Sequence, residues 1–274
     1  MINVQQDALK SILSFYADSG VETLTGDMPV DSKSTPKMEP QAQPTPKVSE
    51  PPKASFTPAE QQPSLMPTQP SGQNVDLSGV KTLEELSQAI RDYDGIGLKK
   101  TAMNMVFADG DPNSDIMVIG EAPGADEDRQ GKPFVGRAGQ LLDKMLAAIN
   151  MGRAPSDDQH ACYISNIINW RPPGNRTPTP EEISASLPFI QKHIELVQPK
   201  MIFLMGAVAA KSLLGKSEGI SKLRGKVWDQ GDIKIIATYH PAYLLRQPLM
   251  KRKAWADLLM AQEIYQDLTE KGSS

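Results

Sequence analysis

One cysteine, Cys162, stands in a chain of 274 residues. A lone thiol can form neither an internal disulfide framework nor a cysteine-held metal cluster. No apolar run approaches the roughly 18 residues that a membrane helix needs. The N-terminus has no basic start leading into an apolar stretch, so no signal peptide is expected. These absences point to a cytoplasmic protein without a membrane anchor. The Gly-containing turn GEAPG (120–124) matches neither the G-x-x-x-x-G-K-[ST] phosphate loop nor the GxGxxG turn, the commonest nucleotide-binding signatures.

What is abundant is proline, and it is unevenly placed. Of 23 prolines, 11 fall between Pro29 and Pro70. The same stretch is rich in Gln, Ser and Lys and has no hydrophobic period. Such a segment cannot bury enough apolar surface to offset its ordering entropy. Residues 26–78 are therefore expected to form a disordered linker. Before it, VQQDALKSILSFYAD (4–18) sets Leu9, Ile12, Leu13 and Tyr16 at helical spacing. This short amphipathic helix, within residues 1–25, can pack back on the main domain or dock a partner protein. Charge divides at the same boundary. Residues 1–80 carry 5 basic and 9 acidic side chains, and the remainder carries 24 of each. The acidic balance of the whole chain thus comes from its N-terminal end and is no argument against a nucleic-acid partner.

Residues 79–274 read as the folded domain. KTLEELSQAIRDYD opens with Thr82 and Glu85 in capping-box spacing. Ile116 to Ile119 form a buried-looking strand running into GEAPG, and AGQLLDKMLAAINM is a helix. ACYISNII is a second strand, followed by a helix opened by Thr177 or Thr179 with Pro180. KMIFLMG is a third strand, AVAAKSLLG a helix, KIIATYHP a fourth strand, and LMKRKAWADLLMAQEIYQDL a closing helix. Strands alternating with helices predict an α/β three-layer sandwich with a central, mostly parallel four-stranded sheet. Sites in such folds lie beyond the carboxyl ends of the strands. GEAPG, the stretch from Asn166 to Arg176, and His240-Pro241 all fall there. By itself GEAPG is either a plain tight turn or a backbone cradle for phosphate.

Taken together, GEAPGADEDRQGKPFVGRAGQLL, YISNIINWRPPGNRTPTPEEI and TYHPAYLLRQP, in this order, resemble uracil-DNA glycosylases of family four, the iron–sulfur type. The resemblance spans roughly residues 98–268. It implies a monofunctional, monomeric enzyme that flips uracil from single- or double-stranded DNA and hydrolyses its bond to the sugar. It places Phe134 as the ring that stacks on uracil and Asn166 as the amide that reads its edge. An amide can give a donor to O4 and an acceptor to N3–H at once, whereas cytosine reverses both groups. His240, one of three histidines, faces O2 and stabilises the departing anion. His160 and His193 lie outside the motifs and are expected on the surface. Glu121 and Glu127 are the catalytic carboxylates, and Ala122 also lines the pocket. Lys222, Arg224, Lys226, Arg246, Lys251, Arg252 and Lys253 are candidates for the phosphate grip. Leu244 and Leu245 are candidates for the wedge that enters the duplex.

The chain departs from the family at the cluster. Two of the four cysteine positions fall near Tyr93 and Ile96, and the others on Trp170 and Ser186. No cofactor and no metal are therefore expected, with Trp170 filling part of the space. A sister group binds uracil-DNA covalently through a histidine in a basic insertion. The corresponding stretch here, GKSEGISKLRGKVW, has no histidine, so covalent trapping is not expected. The residues leave two other classes open: a non-catalytic DNA-binding or polymerase-associated module of the same fold, and a nucleotide-binding enzyme using GEAPG.

Overall fold

The computed structural model describes residues 75–154 and 159–271. The helix expected at 4–18, and the expected linker as far as residue 74, lie outside them. In chain order the elements are α1 (Leu83–Asp92), β1 (Asp109–Gly110), β2 (Ile116–Gly120), α2 (Ala125–Gln130), α3 (Arg137–Ala147), β3 (Met151–Gly152), β4 (His160–Ala161) and β5 (Tyr163–Asn166). Then come α4 (Pro180–Val197), β6 (Met201–Met205), α5 (Ala207–Leu214), α6 (Ile220–Leu223), β7 (Val227–Gln230), β8 (Ile233–Thr238), α7 (Pro241–Arg246) and α8 (Lys251–Lys271). Two helix starts follow the local code. Thr82 and Thr179 each accept the backbone N–H three residues on, and Glu85 and Glu182 reach back to the caps. Pro180 takes the first position of α4, where no N–H is needed.

The sheet order is β1-β5-β2-β6-β8-β7. The inner four strands are parallel, as expected. Two antiparallel edge strands extend them, β1 against β5 and β7 against β8. Both edges are short or solvent-facing, so neither carries the buried apolar run that marks the inner strands.

Those inner runs are continuous because both faces of the sheet are covered. Ile116, Val118, Phe203 and Met205 point to a core shared with Leu141, Leu142, Met145 and Leu146 of α3 and Trp255 and Leu258 of α8. Met117, Ile119, Ile202 and Leu204 point to the opposite core, with Leu86 and Ile90 of α1, Phe189 and Ile190 of α4, and Ala209 and Ala210 of α5. This is the three-layer sandwich. His193 belongs to the second core and not to the surface. It lies seven residues after buried Ser186 on the inner stripe of α4. Its ring stacks on Phe107 at 4.6 Å, and Nε2 lies 3.0 Å from the Tyr163 hydroxyl. Burial pushes its pKa down to about 3.

Register brings the inner strands to a common end. Gly120 pairs with Asn166, and Met205 pairs with Thr238. The chain leaves all four strands on one side of the domain, where GEAPG, the stretch from Asn166 to Arg176 and His240-Pro241 lie.

Candidate active site

At these strand ends lies a cavity of about 450 Å³, walled by Glu121, Ala122, Phe134, Asn166, His240 and Arg246. Three loops that are distant in sequence supply these residues. Their convergence depends on glycines with close neighbours. A Cβ on Gly120 would stand 2.4 Å from Asn166 Oδ1 and 2.5 Å from Phe134 Cζ. Only a hydrogen at position 120 lets the ring and the amide approach each other.

Phe134 has a left-handed backbone, φ 54°, which a bulky residue adopts only when its surroundings impose it. The surroundings are visible. Arg153 donates to the carbonyls of Pro133 at 2.9 Å and Phe134 at 2.7 Å, and its charge is held by Asp109 and Asp143. A Cβ on Gly139, in the first turn of α3, would fall 1.8 Å from the Phe134 carbonyl oxygen. Arg153 and Gly139 escaped the sequence reading because neither lies within the residues that touch the cavity.

Asn166 ends β5 and is buried, yet its Nδ2 has no hydrogen-bond partner. A buried donor without an acceptor is costly, and this one belongs to a residue lining a cavity. His240 caps α7: its Nδ1 accepts the Ala242 N–H at 3.1 Å. That bond assigns the proton of the neutral ring to Nε2. Burial, aided by the Arg246 charge and opposed by Glu127, pushes the His240 pKa down to about 4. The imidazole is therefore a neutral donor at physiological pH.

The two carboxylates have different situations. Glu127 Oε1 accepts the N–H groups of Val135 and Gly136 at 2.9 and 2.8 Å, and Oε2 accepts that of Gly124 at 3.1 Å. Its oxygens tie the GEAPG loop to the Phe134 turn. The Glu121 carboxylate has no hydrogen-bond or ion-pair partner among the described residues, and burial raises its pKa. Of the pair, Glu121 has lone pairs to offer a substrate.

The DNA-contact candidates divide. Lys222, Arg246 and Arg252 are exposed, and Arg246 lines the cavity. Arg224 is instead committed to the interior. It grips Asp257 through Nε and Nη2 at 2.8 and 2.6 Å, and Thr238 donates to the same carboxylate at 2.6 Å. Lys251 is also buried, at the head of α8. Leu244 is fully buried beneath α7 in the first core and cannot enter a duplex, because helical periodicity turns it inward while Leu245 turns outward. Leu249, in the 3₁₀ turn Pro248–Met250, is 86% exposed and was not foreseen. Pro172, Asn175, Arg176 and Thr177 form a further wall of the cavity. Among the described residues no group of three or more His, Cys, Asp or Glu could hold a metal ion. Cys162 is buried, with its thiol pushed up to about 12.

The strand ends thus form a slot for a flat, hydrogen-bonding ring, with a neutral donor and a lone carboxylate at its sides. A parallel α/β sandwich with such a slot beyond its strand ends has the build of a ligand-binding or catalytic domain. The chain belongs to the uracil-DNA glycosylase superfamily, whose family model matches residues 107–259. It is 36% identical over 187 residues to a type-4 uracil-DNA glycosylase of Pyrobaculum aerophilum, covering 65% of this chain and 92% of that protein. It is 39% identical over 166 residues to a type-4 uracil-DNA glycosylase of Thermotoga maritima, covering 60% and 83%. It is also 32% identical over 162 residues to a DNA polymerase of Bacillus phage SP01, covering 59% of this chain and 17% of that protein.

Proposed function

We propose that the protein is a monofunctional uracil-DNA glycosylase that hydrolyses the N-glycosidic bond of flipped-out deoxyuridine. The observation that carries this reading is the unpaired, buried Asn166 amide, set against the Phe134 ring in a cavity lined by a neutral His240. A base inside a duplex cannot reach such a cavity, so the nucleotide must swing out of the stack. Phe134 then offers its face to the pyrimidine. Asn166 Nδ2 gains the acceptor it lacks, uracil O4, and Oδ1 accepts from N3–H.

Breaking the N1–C1′ bond sends its electron pair to the base and leaves positive charge on the sugar. The Nε2–H of His240 donates to O2, where the anion's charge gathers. Glu121, ionised, faces the sugar side. It stabilises the cationic carbon and orients a water whose oxygen bonds to C1′ while the Glu121 carboxylate takes the water's proton; solvent protonates the departing uracil anion, and Glu121 returns its proton to solvent. The products are uracil and an abasic site. Among the described residues no lysine lines the cavity, and in this reading water, not an amine, is the nucleophile. Arg246 at the cavity wall, with exposed Lys222 and Arg252, supplies charge for the DNA backbone. The reading requires no cofactor.

Similarity to part of a phage DNA polymerase favours one alternative, a polymerase-associated module that binds DNA without excising a base. A single assay separates the two. A uracil-containing oligonucleotide, incubated with the protein and heated in alkali, is cleaved at uracil if the glycosylase reading holds. Specific binding with an intact strand after alkali would establish the module instead.

A further inference from the structure

The resemblance to iron–sulfur glycosylases puts two of four thiolates near positions 93 and 96 and the other two at positions 170 and 186. Here they are Tyr93, Ile96, Trp170 and Ser186. The structure shows what these residues make. Ile96 and Trp170 are buried in the second core together with Phe189, and Tyr93 packs against the same cluster. The Tyr93 and Phe189 rings lie 5.1 Å apart. Ser186, one turn before Phe189 on α4, is buried and gives its hydroxyl to the Glu182 carbonyl at 2.9 Å. The Trp170 indole N–H is buried with no hydrogen-bond partner. The surroundings of that ring are therefore apolar, and no side chain on these positions can ligate iron as a thiolate.

Trp170 also has a particular place in the chain. The carbonyl of its neighbour Asn169 accepts the Val106 N–H at 2.8 Å, and the Asn169 side-chain amide donates to the Val106 carbonyl at 3.1 Å. Two residues after Trp170 begins the cavity wall of Pro172, Asn175, Arg176 and Thr177. Arg171 ties that wall internally, donating to Asn175 Oδ1 at 2.7 Å. The point where the wall leaves the core is the Trp170 side chain.

We propose that Trp170, buried in the same apolar core as Ile96 and Phe189, is an apolar keystone that fixes the cavity wall at residues 172–177, and that excision is consequently independent of iron and of redox state. This rests on the glycosylase reading for its kinetic consequences but not for its structural ones. Trp170 is a positioning residue, acting through the wall. Because the indole N–H has no partner, bulk alone matters. Phe should replace it, while a small side chain leaves a cavity that the wall relaxes into.

The test uses the full chain. Wild-type protein is expected to contain no stoichiometric iron, to lack absorbance near 400 nm, and to excise uracil at an unchanged rate after treatment with ferricyanide or an iron chelator. Trp170→Phe is expected to stay within about twofold of wild type. Trp170→Ala is expected to raise KM for uracil-DNA by about tenfold, with a smaller change in kcat, and to speed amide hydrogen exchange across residues 171–177. If Trp170→Ala does not yield folded protein, Trp170→Leu gives the graded comparison. Stoichiometric iron would overturn the proposal. So would a Trp170→Phe variant as impaired as Trp170→Ala, or a Trp170→Ala variant with lowered thermal stability but unchanged KM and unchanged exchange at 171–177. If wild-type protein excises nothing, the glycosylase reading fails. The iron and exchange measurements still decide the keystone.

Discussion

The rings of Phe134 and His240 face each other with centroids 5.5 Å apart and planes 28° from parallel. The stacking surface and the anion-stabilising donor are thus placed relative to each other, and a shift of one changes the geometry offered by both. Each is held from behind by a glycine. Gly139 lies under the Phe134 carbonyl, and Gly206, at φ +96°, lies 3.0 Å by its would-be Cβ from the His240 Cβ.

Gly139→Ala is accordingly expected to displace Phe134, because its methyl group cannot share space with a backbone oxygen 1.8 Å away. Misplacement of this kind costs about 10²-fold in rate. Single-turnover excision should fall by that order while far-ultraviolet circular dichroism is kept. A wild-type rate would show that the Phe134 turn does not shape the site.

His240→Ala and Asn166→Ala are each expected to lower uracil excision by about 10²–10³-fold, the usual cost of a lost donor at developing charge. Asn166→Asp should in addition shift preference toward cytosine, since a carboxylate presents an acceptor where the amide presented a donor. Parallel assays on uracil- and cytosine-containing oligonucleotides check both. Wild-type rates in either alanine variant would move the site elsewhere.

The pH response should separate rate from stability. His240, with its pKa held at about 4, stays neutral through pH 6.5, so the rate should show no step at the ordinary histidine value. Glu121 is raised by burial, so the acid limb of the single-turnover profile should lie above the ordinary carboxylate range and disappear in Glu121→Gln. Stability follows a different sign rule. Between pH 6.5 and about 4 for His240, and to about 3 for His193, the unfolded chain takes up protons that the folded chain refuses. Stability is therefore complete above pH 6.5, falls across that window, and loses nothing further from these groups below it. Chemical denaturation from pH 8 to 4 measures this. A midpoint that does not fall would contradict the buried neutral rings.

The leucines after His240 should behave oppositely. Leu244→Ala removes a fully buried side chain and is expected to cost about 2–5 kcal/mol of stability. Leu249→Ala and Leu245→Ala should leave the melting temperature unchanged and weaken binding to duplex uracil-DNA, because their exposed apolar side chains are available to enter the base stack. Thermal melts beside duplex binding isotherms distinguish the two classes. Equal effects of Leu244→Ala and Leu249→Ala on stability would refute the division.

Much of this molecule was legible without coordinates because its signals are local. The capping boxes at Thr82 and Thr179, the apolar runs of the four inner strands, and the motifs that follow them depend on neighbours a few residues away. Strand ends collect sites in a parallel sheet, so Glu121, Asn166 and His240 could be placed at one side of the domain from order alone. Which polar side chain is spent and which is free depends on residues far apart in sequence. Arg224 meets Asp257 across 33 positions, Arg153 reaches back 19 to the Phe134 carbonyl, and His193 finds Tyr163 30 residues earlier. Glu121 and Glu127 are the same residue type six positions apart, and only packing shows that three backbone N–H groups occupy the second and none the first. Sequence alone determined the α/β layering, the order of the motifs and the chemistry of their side chains. Tertiary structure alone decided the inward turn of Leu244, the left-handed Phe134 and the apolar setting of Trp170, because burial is a property of what surrounds a side chain and not of the side chain itself.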